Sequence, residues 1–308
     1  MKLQSRIKNR LKKHSIDMDC SNKSTIFIAG MGRSGTTWLS ELINYKQNYR
    51  DIFEPFLPYK VKISSSFKYL QYLNPNYQDS ILTKSAKTIL SGQFKSEWTD
   101  VNKNRLVTNK RIIKDIRANL MLKWLSNIRP GMPILLLIRH PLAVIDSYKN
   151  LGWGIEAGGK TSDFDRIIEQ KHLLHDFPIV KNNLKYIDTT DYISQLLYLW
   201  CVLYHVPLKQ LSRADYKIVF YENILLHPQE TLSDIFSYIS QRFDGAKILD
   251  KIKKPSITNY RQTDFTVNPT ENVQKWKKTF NKIEITKSQE ILKRFELDYL
   301  YDTNGFPT

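Results

Sequence analysis

Short, unbroken apolar runs alternate along this chain with longer stretches in which apolar residues recur every three or four positions. The runs Thr25 to Met31, Arg111 to Lys114, Pro133 to Arg139 and Tyr216 to Tyr221, with a shorter one at Tyr49 to Phe53, have the length and β-branched content of strands. Helical spacing predicts helices over Thr37 to Tyr45, Ser80 to Leu90, Asn119 to Ile128, Leu142 to Asn150, Phe164 to His175, Tyr192 to Gln210, Gln229 to Arg242 and Thr286 to Phe295. Strands separated by helices of this size form βαβ units, and runs such as Ile134-Leu-Leu-Leu-Ile138 are apolar throughout because helices cover both faces of a parallel sheet. The expected architecture is α/β: three layers, α/β/α, around a central parallel sheet. Ligands of such sheets sit beyond the carboxyl ends of the strands, so the residues after each run carry the functional question.

Composition changes this picture little. With 308 residues, 41% of them hydrophobic and 12% aromatic, the chain has the material for one large packed domain, and wholesale disorder is excluded. No internal repeat or low-complexity linker interrupts it, so residues 25–308 are read as a single domain behind a basic polar leader at 1–24. In the leader, Lys2, Arg6, Lys8, Arg10, Lys12 and Lys13 interleave with Leu3, Ile7 and Leu11; a solvated end is favoured over a membrane-surface anchor. No apolar run is long enough to span a bilayer and no secretory signal opens the chain, so the expectation is a soluble, cytoplasmic protein. Two cysteines, Cys20 and Cys201, and six scattered histidines encode neither a disulfide framework nor a metal-ligand spacing. The net charge of +17 favours anionic partners without choosing among them.

Candidate chemistry begins after the first strand, at Gly30-Met31-Gly32-Arg33-Ser34-Gly35-Thr36-Thr37-Trp38-Leu39. Gly30 and Gly35 bracket four residues, as in a Walker A loop, but Thr36 stands where that motif places lysine. Such a P-loop-like turn offers backbone N–H groups and a helix N-terminus to one phosphate while lacking the side chain that reaches β- and γ-phosphates. It suits a nucleotide with a single 5′-phosphate.

The string Gly32-Arg33-Ser34-Gly35-Thr36-Thr37-Trp38-Leu39 resembles the 5′-phosphosulfate loop of the sulfotransferases that use PAPS (3′-phosphoadenosine 5′-phosphosulfate), with Gly32 where proline is common. Leu137-Ile-Arg-His-Pro-Leu-Ala-Val-Ile-Asp-Ser147 resembles the 3′-phosphate motif of the same family, with Arg139 ending a strand and Ser147 eight residues later on the next helix. The family usually has aspartate where His140 stands, and His140 is read as a loop or capping residue. Val219-Phe-Tyr-Glu-Asn-Ile224 and Trp276-Lys277 resemble later, less specific segments, so the likeness extends over residues 25 to 300. It is closer to the carbohydrate and tyrosyl-protein type than to the small-molecule type.

The resemblance implies sulfonate transfer from PAPS, with PAP (adenosine 3′,5′-bisphosphate) as product and no metal. It implies donor contacts from Gly32, Arg33, Ser34, Gly35, Thr36, Thr37, Trp38, Arg139, Ser147 and Tyr221. Arg33 and Lys114 stand where members place cations on the sulfonate and its leaving oxygen. Glu54, in Phe53-Glu54-Pro55, stands where carbohydrate and tyrosyl-protein members place a general base; no histidine occurs between the loop and Arg139 to take the small-molecule members' role. A solvent-exposed turn is the competing reading of Glu54. Asp115 is expected to stay ionised and orient Lys114 or Arg117, Trp38 to lie near the nucleotide, and the basic stretch Lys251 to Lys278 either to cover the 3′-phosphate or to be a solvated loop. The acceptor is expected to be a glycan, glycolipid or peptide hydroxyl, or an amine. Two alternatives remain: a P-loop kinase or NTPase, which the missing lysine disfavours, and a basic nucleic-acid-binding protein, for which no recognition motif is present.

Overall fold

The computed structural model describes residues 16–17, 24–102, 107–153, 162–252 and 268–308. Strands β1 (Ile16–Asp17) and β4 (Val107–Thr108) pair with each other, and five more form a separate parallel sheet: β2 (Thr25–Ala29), β3 (Arg50–Phe53), β5 (Arg111–Asp115), β6 (Ile134–Ile138) and β7 (Tyr216–Phe220). The order in that sheet is β3-β5-β2-β6-β7. Every residue of β2, β5 and β6 is buried; the apolar runs of β2 and β6 require this, whereas in β5 the buried residues include Arg111, Lys114 and Asp115.

Helices α1 (Thr36–Ile43), α2 (Ser80–Leu90), α3 (Leu122–Ile128), α4 (Pro141–Leu151), α5 (Ser162–Ile168), α6 (Lys171–Asp176), α7 (Pro178–Asn183), α8 (Tyr192–Gln210), α9 (Tyr221–Leu226), α10 (Pro228–Tyr238), α11 (Gly245–Ile252), α12 (Pro269–Val273) and α13 (Lys282–Arg294) complete the described fold. The strand side chains alternate between two cores. Phe27, Ala29, Ile113, Ile134 and Leu136 pack with α2, α3 and α8 on one face; Ile26, Ile28, Ile112, Leu135 and Leu137 pack with α1 and α10 on the other. These are the three expected layers.

The spacing predicts α2 and α8 to the residue. The single helix expected over Phe164 to His175 is instead broken at Gln170, whose amide is drawn into tertiary hydrogen bonds: Nε2 donates to the Leu70 carbonyl, 3.0 Å, and Oε1 accepts from Tyr72 N–H, 2.7 Å. Four short helices, α7, α9, α11 and α12, were not expected. Cys201 is buried inside α8, whereas Cys20, all the lysines and arginines of the basic leader before Ile16, and Lys253, Lys254 and Arg261 of the late basic stretch lie outside the described residues. Among the described residues no helix is long and apolar enough to cross a membrane.

The β3 edge is fixed by Arg50, 2% exposed, which pairs with Asp100 at 3.0 Å and donates to the carbonyls of Gly92 and Phe94, both at 2.6 Å. Arg50→Met keeps the apolar stem and leaves the Asp100 carboxylate buried without its guanidinium. We expect a loss of about 3 to 5 kcal/mol in urea unfolding at neutral pH.

Candidate active site

Each of the five parallel strands delivers a candidate residue at its carboxyl end: the glycine loop after β2, Glu54 after β3, Lys114 and Asp115 on β5, Arg139 after β6 and Tyr221 after β7. Parallel pairing makes this possible, because it brings all the carboxyl ends to one edge. They converge on a cavity of about 440 Å³, whose lining includes Gly32, Arg33, Gly35, Thr36, Thr37, Trp38, Glu54, Lys114, Arg117, Arg139, Trp153 and Tyr221. A larger groove of about 960 Å³, beside α2 and Arg129, contains none of the motif residues.

The loop folds tightly. Ser34 N–H closes a turn onto the Met31 carbonyl at 3.2 Å, and Arg33 adopts φ +64°, a conformation a side chain tolerates at a cost. Gly35, at φ +96°, opens α1; a Cβ there would lie 2.7 Å from the Tyr221 ring. At Gly30 a Cβ would lie 2.7 Å from the Leu137 carbonyl oxygen, so the loop can pass β6 only with glycine in that position. Thr36 and Thr37 form the first turn of α1, where backbone N–H groups have no partner within the helix, and both residues line the cavity. Ser34 is turned inward and fully buried, and its hydroxyl meets Tyr204 instead of the cavity.

The two sequence motifs touch. Arg139 Nη1 donates to the Arg33 carbonyl at 3.0 Å, and Arg33 Nε donates to Ser147 Oγ at 3.0 Å. The Arg139 guanidinium lies 4.5 Å from the centre of the Tyr221 ring, which in turn packs 5.4 Å from Trp38. Trp38 Nε1 is buried without a hydrogen-bond partner among the described residues, an indole donor at the wall of the cavity. On the opposite side the Arg33 guanidinium lies 5.7 Å from the Trp153 ring, and Trp153 is 43% exposed at the cavity mouth.

Glu54 is no exposed turn. It is 5% exposed and sits at φ +45°, with its N–H extending the β3–β5 ladder to the Lys114 carbonyl at 2.7 Å. Its Oε1 accepts from Lys114 Nζ and its Oε2 from Arg117 Nη1, both at 2.5 Å. Burial alone would push this carboxyl up, but the two cations outweigh it and hold it below the usual range. Lys114 Nζ also lies 4.0 Å from the centre of the Phe53 ring, and the Arg117 guanidinium 4.9 Å from that of Tyr69.

Asp115 holds Arg117, one of the two residues it was expected to orient, through that residue's backbone and not its side chain. Oδ2 accepts from Phe56 N–H at 2.8 Å and Oδ1 from Arg117 N–H at 2.7 Å, so one carboxylate bolts the turn carrying Glu54 to the segment carrying Arg117. Full burial pushes it up to about 6, against the pull of Arg117. His140 caps the start of α4 through its carbonyl and stacks on Trp276 at 4.1 Å; burial, with Lys277 and Arg139 nearby, pushes its imidazole down to about 3, so it is neutral. Trp276 therefore packs away from the cavity, with Lys275, Lys277 and Lys278 on the same short 3₁₀ turn.

Sequence reading missed Arg117, Trp98 and Tyr204. In the sequence Arg117 stands out only as a possible partner of Asp115. Trp98, which lines the cavity and meets Phe53 edge-on at 5.6 Å, stands in a loop without a motif. Tyr204 was absorbed into the apolar pattern of α8.

Because Glu54 is ionised between two buried cations, its folded-state acidity is stronger than that of an unfolded glutamate. Its contribution to stability is therefore present above the ordinary value of 4.5 and is lost as pH falls through the lower folded value. Glu54→Gln should cost about 3 to 5 kcal/mol at pH 7, and the difference from the parent should shrink steadily in acid. Urea unfolding of both proteins across the acid range checks the sign.

The sulfotransferase domain family model matches residues 23–298. Among solved structures, the sulfotransferase domain of the Synechococcus PCC 7002 olefin synthase is 17% identical, with 94% of this chain and 99% of that one covered at a TM-score of 0.47. The sulfotransferase domain of the curacin biosynthetic pathway is 17% identical over 88% and 96% at 0.46. A mouse sulfotransferase complexed with PAP is 13% identical over 91% and 87% at 0.44. No curated protein sequence matches the chain. The family model spans nearly all of the described fold, including every strand that delivers a residue to the cavity, and on that match the chain belongs to the sulfotransferase domain family.

Proposed function

We propose that this protein transfers a sulfonate group from PAPS to a hydroxyl or amine of an acceptor by in-line displacement. The observation that carries this reading is the contact between the two phosphate motifs: Arg139, which lies beyond β6, donates to the carbonyl of Arg33 in the loop beyond β2. A nucleotide spanning both would need a phosphate at each end, as PAPS has.

The loop N–H groups from Gly32 to Thr37 and the Thr36 and Thr37 hydroxyls hold the 5′-phosphate, with Ser34 shaping the loop from within. Arg139 and Ser147 hold the 3′-phosphate, and Trp38 and Tyr221 contact the adenine. Arg33 and Lys114 offset charge on the sulfonate and on the oxygen that leaves with PAP, the work that a metal performs in many phosphoryl transfers. The acceptor oxygen or nitrogen attacks sulfur, the bond from sulfur to the 5′-phosphate oxygen breaks, and the acceptor proton passes to Glu54. For that step one oxygen of Glu54 exchanges a cation for the acceptor.

Glu54 in place of a histidine favours a glycan, glycolipid or peptide hydroxyl as acceptor. Residues 25–308 act as one catalytic domain behind the leader at 1–24, in the cytoplasm.

Calorimetric titration without added metal should show PAP binding well ahead of AMP and ATP. Arg139→Ala should weaken PAP on the order of a hundredfold and bring it down to the level of AMP, because a charge-assisted phosphate contact is lost. Glu54→Gln should bind PAP as the parent does while losing PAPS turnover by about 10²- to 10⁴-fold. Preference for ATP, or PAP binding indifferent to Arg139, would send the donor assignment back to the NTPase reading.

A further inference from the structure

The phosphate loop has no lysine to anchor it, and its curvature is held from below by a side chain of α8. Tyr204 is fully buried, and its hydroxyl has one hydrogen to give and two lone pairs to fill. It donates to the Leu137 carbonyl of β6 at 2.9 Å and accepts from Met31 N–H at 3.0 Å. The remaining contact, 3.1 Å to Ser34 Oγ, must then be donated by the serine. All three positions on the tyrosine oxygen are satisfied, and burial keeps the phenol protonated by raising it to about 12. Met31 and Ser34 are the two ends of the turn that carries Gly32 and Arg33, so a single oxygen grips both ends and ties them to β6.

One turn earlier on the same face of α8, Trp200 Nε1 donates to the Arg139 carbonyl at 2.9 Å, and the Trp200 and Tyr204 rings are 4.7 Å apart. The helix thus supports both phosphate motifs, each through a different side chain.

We infer that Tyr204 is a positioning residue for the donor nucleotide: its hydroxyl sets the conformation of the loop that receives the 5′-phosphate, without touching the nucleotide itself. This rests on the donor assignment above and adds a residue to it. A buried tyrosine could instead be mere packing. The two roles differ in which nucleotides they affect, because two of the three contacts of Tyr204 lie in the 5′-phosphate loop, whereas Arg139 itself is held through Trp200.

The full-length protein, its Tyr204→Phe variant and its Ser34→Ala variant would be titrated calorimetrically with PAP, adenosine 5′-monophosphate and adenosine 3′-monophosphate. Tyr204→Phe should weaken PAP and the 5′-monophosphate by about tenfold each, as expected for one lost buried hydrogen bond to a binding loop, and leave the 3′-monophosphate within about twofold. Ser34→Ala removes one arm of the same hydroxyl and should shift the same two ligands in the same direction; it carries the test if Tyr204→Phe fails to fold. Equal weakening of all three nucleotides, or no weakening of any, overturns the inference. Parent protein that ignores PAP would instead overturn the donor assignment.

Discussion

Under the proposed function the loop receives a phosphate without a lysine, so it depends on the direction of its own N–H groups, which is set by how closely the loop can press against the neighbouring strand. Here the constraint is the Leu137 carbonyl at the end of β6. Gly30 passes it at a distance no Cβ would survive, and Tyr204 donates to it while holding Met31 and Ser34. The rest of the site is arranged around that contact: Arg139 leaves β6 two residues later and reaches back to the Arg33 carbonyl, and Tyr221 closes over Gly35 from β7. Parallel strand order turns local strain in one loop into a shared edge on which five segments meet.

Charge is the second theme. Glu54 lies between Lys114 and Arg117 with little access to water, an arrangement whose desolvation cost is offset by the pairing and by ring faces beneath both cations. Arg33 and Glu54 both sit at positive φ, and strained backbone at two candidate chemical groups fits a site in which exact placement outweighs local comfort. Asp115 holds the Glu54 and Arg117 segments together through their backbone N–H groups, so its effect on the chemistry is geometric.

The layers and strands β2 and β6 were legible because runs buried on both faces are apolar almost throughout; β3, β5 and β7 include charged residues and were legible from their short length and β-branched or aromatic positions. α2 and α8 were legible because they begin at Asp79 and Asp191, whose carboxylates cap the first turn, and because their apolar spacing is unbroken. α9 was not: it is six residues long, and it is placed by tertiary contacts of Glu222 with His140 N–H and Tyr301 Oη. The same divide applies to the site. Gly32 to Trp38 and Arg139 to Ser147 are contiguous strings that carry their own geometry. Arg117, Trp98 and Tyr204 enter through long-range contacts that leave no local trace, and the Tyr204 hydroxyl is hidden within a helix whose spacing says only that it is buried.

On the proposed function, the edge formed by the β2 loop and the end of β6 holds a nucleotide by phosphates at both its 5′ and 3′ positions. A crystal structure of the protein with PAP bound tests it most directly. The 5′-phosphate is expected on loop N–H groups between Gly32 and Thr37, the 3′-phosphate on Arg139 and Ser147, and the adenine against Trp38 and Tyr221. A nucleotide bound elsewhere, or one whose 3′-phosphate points into solvent, would contradict it.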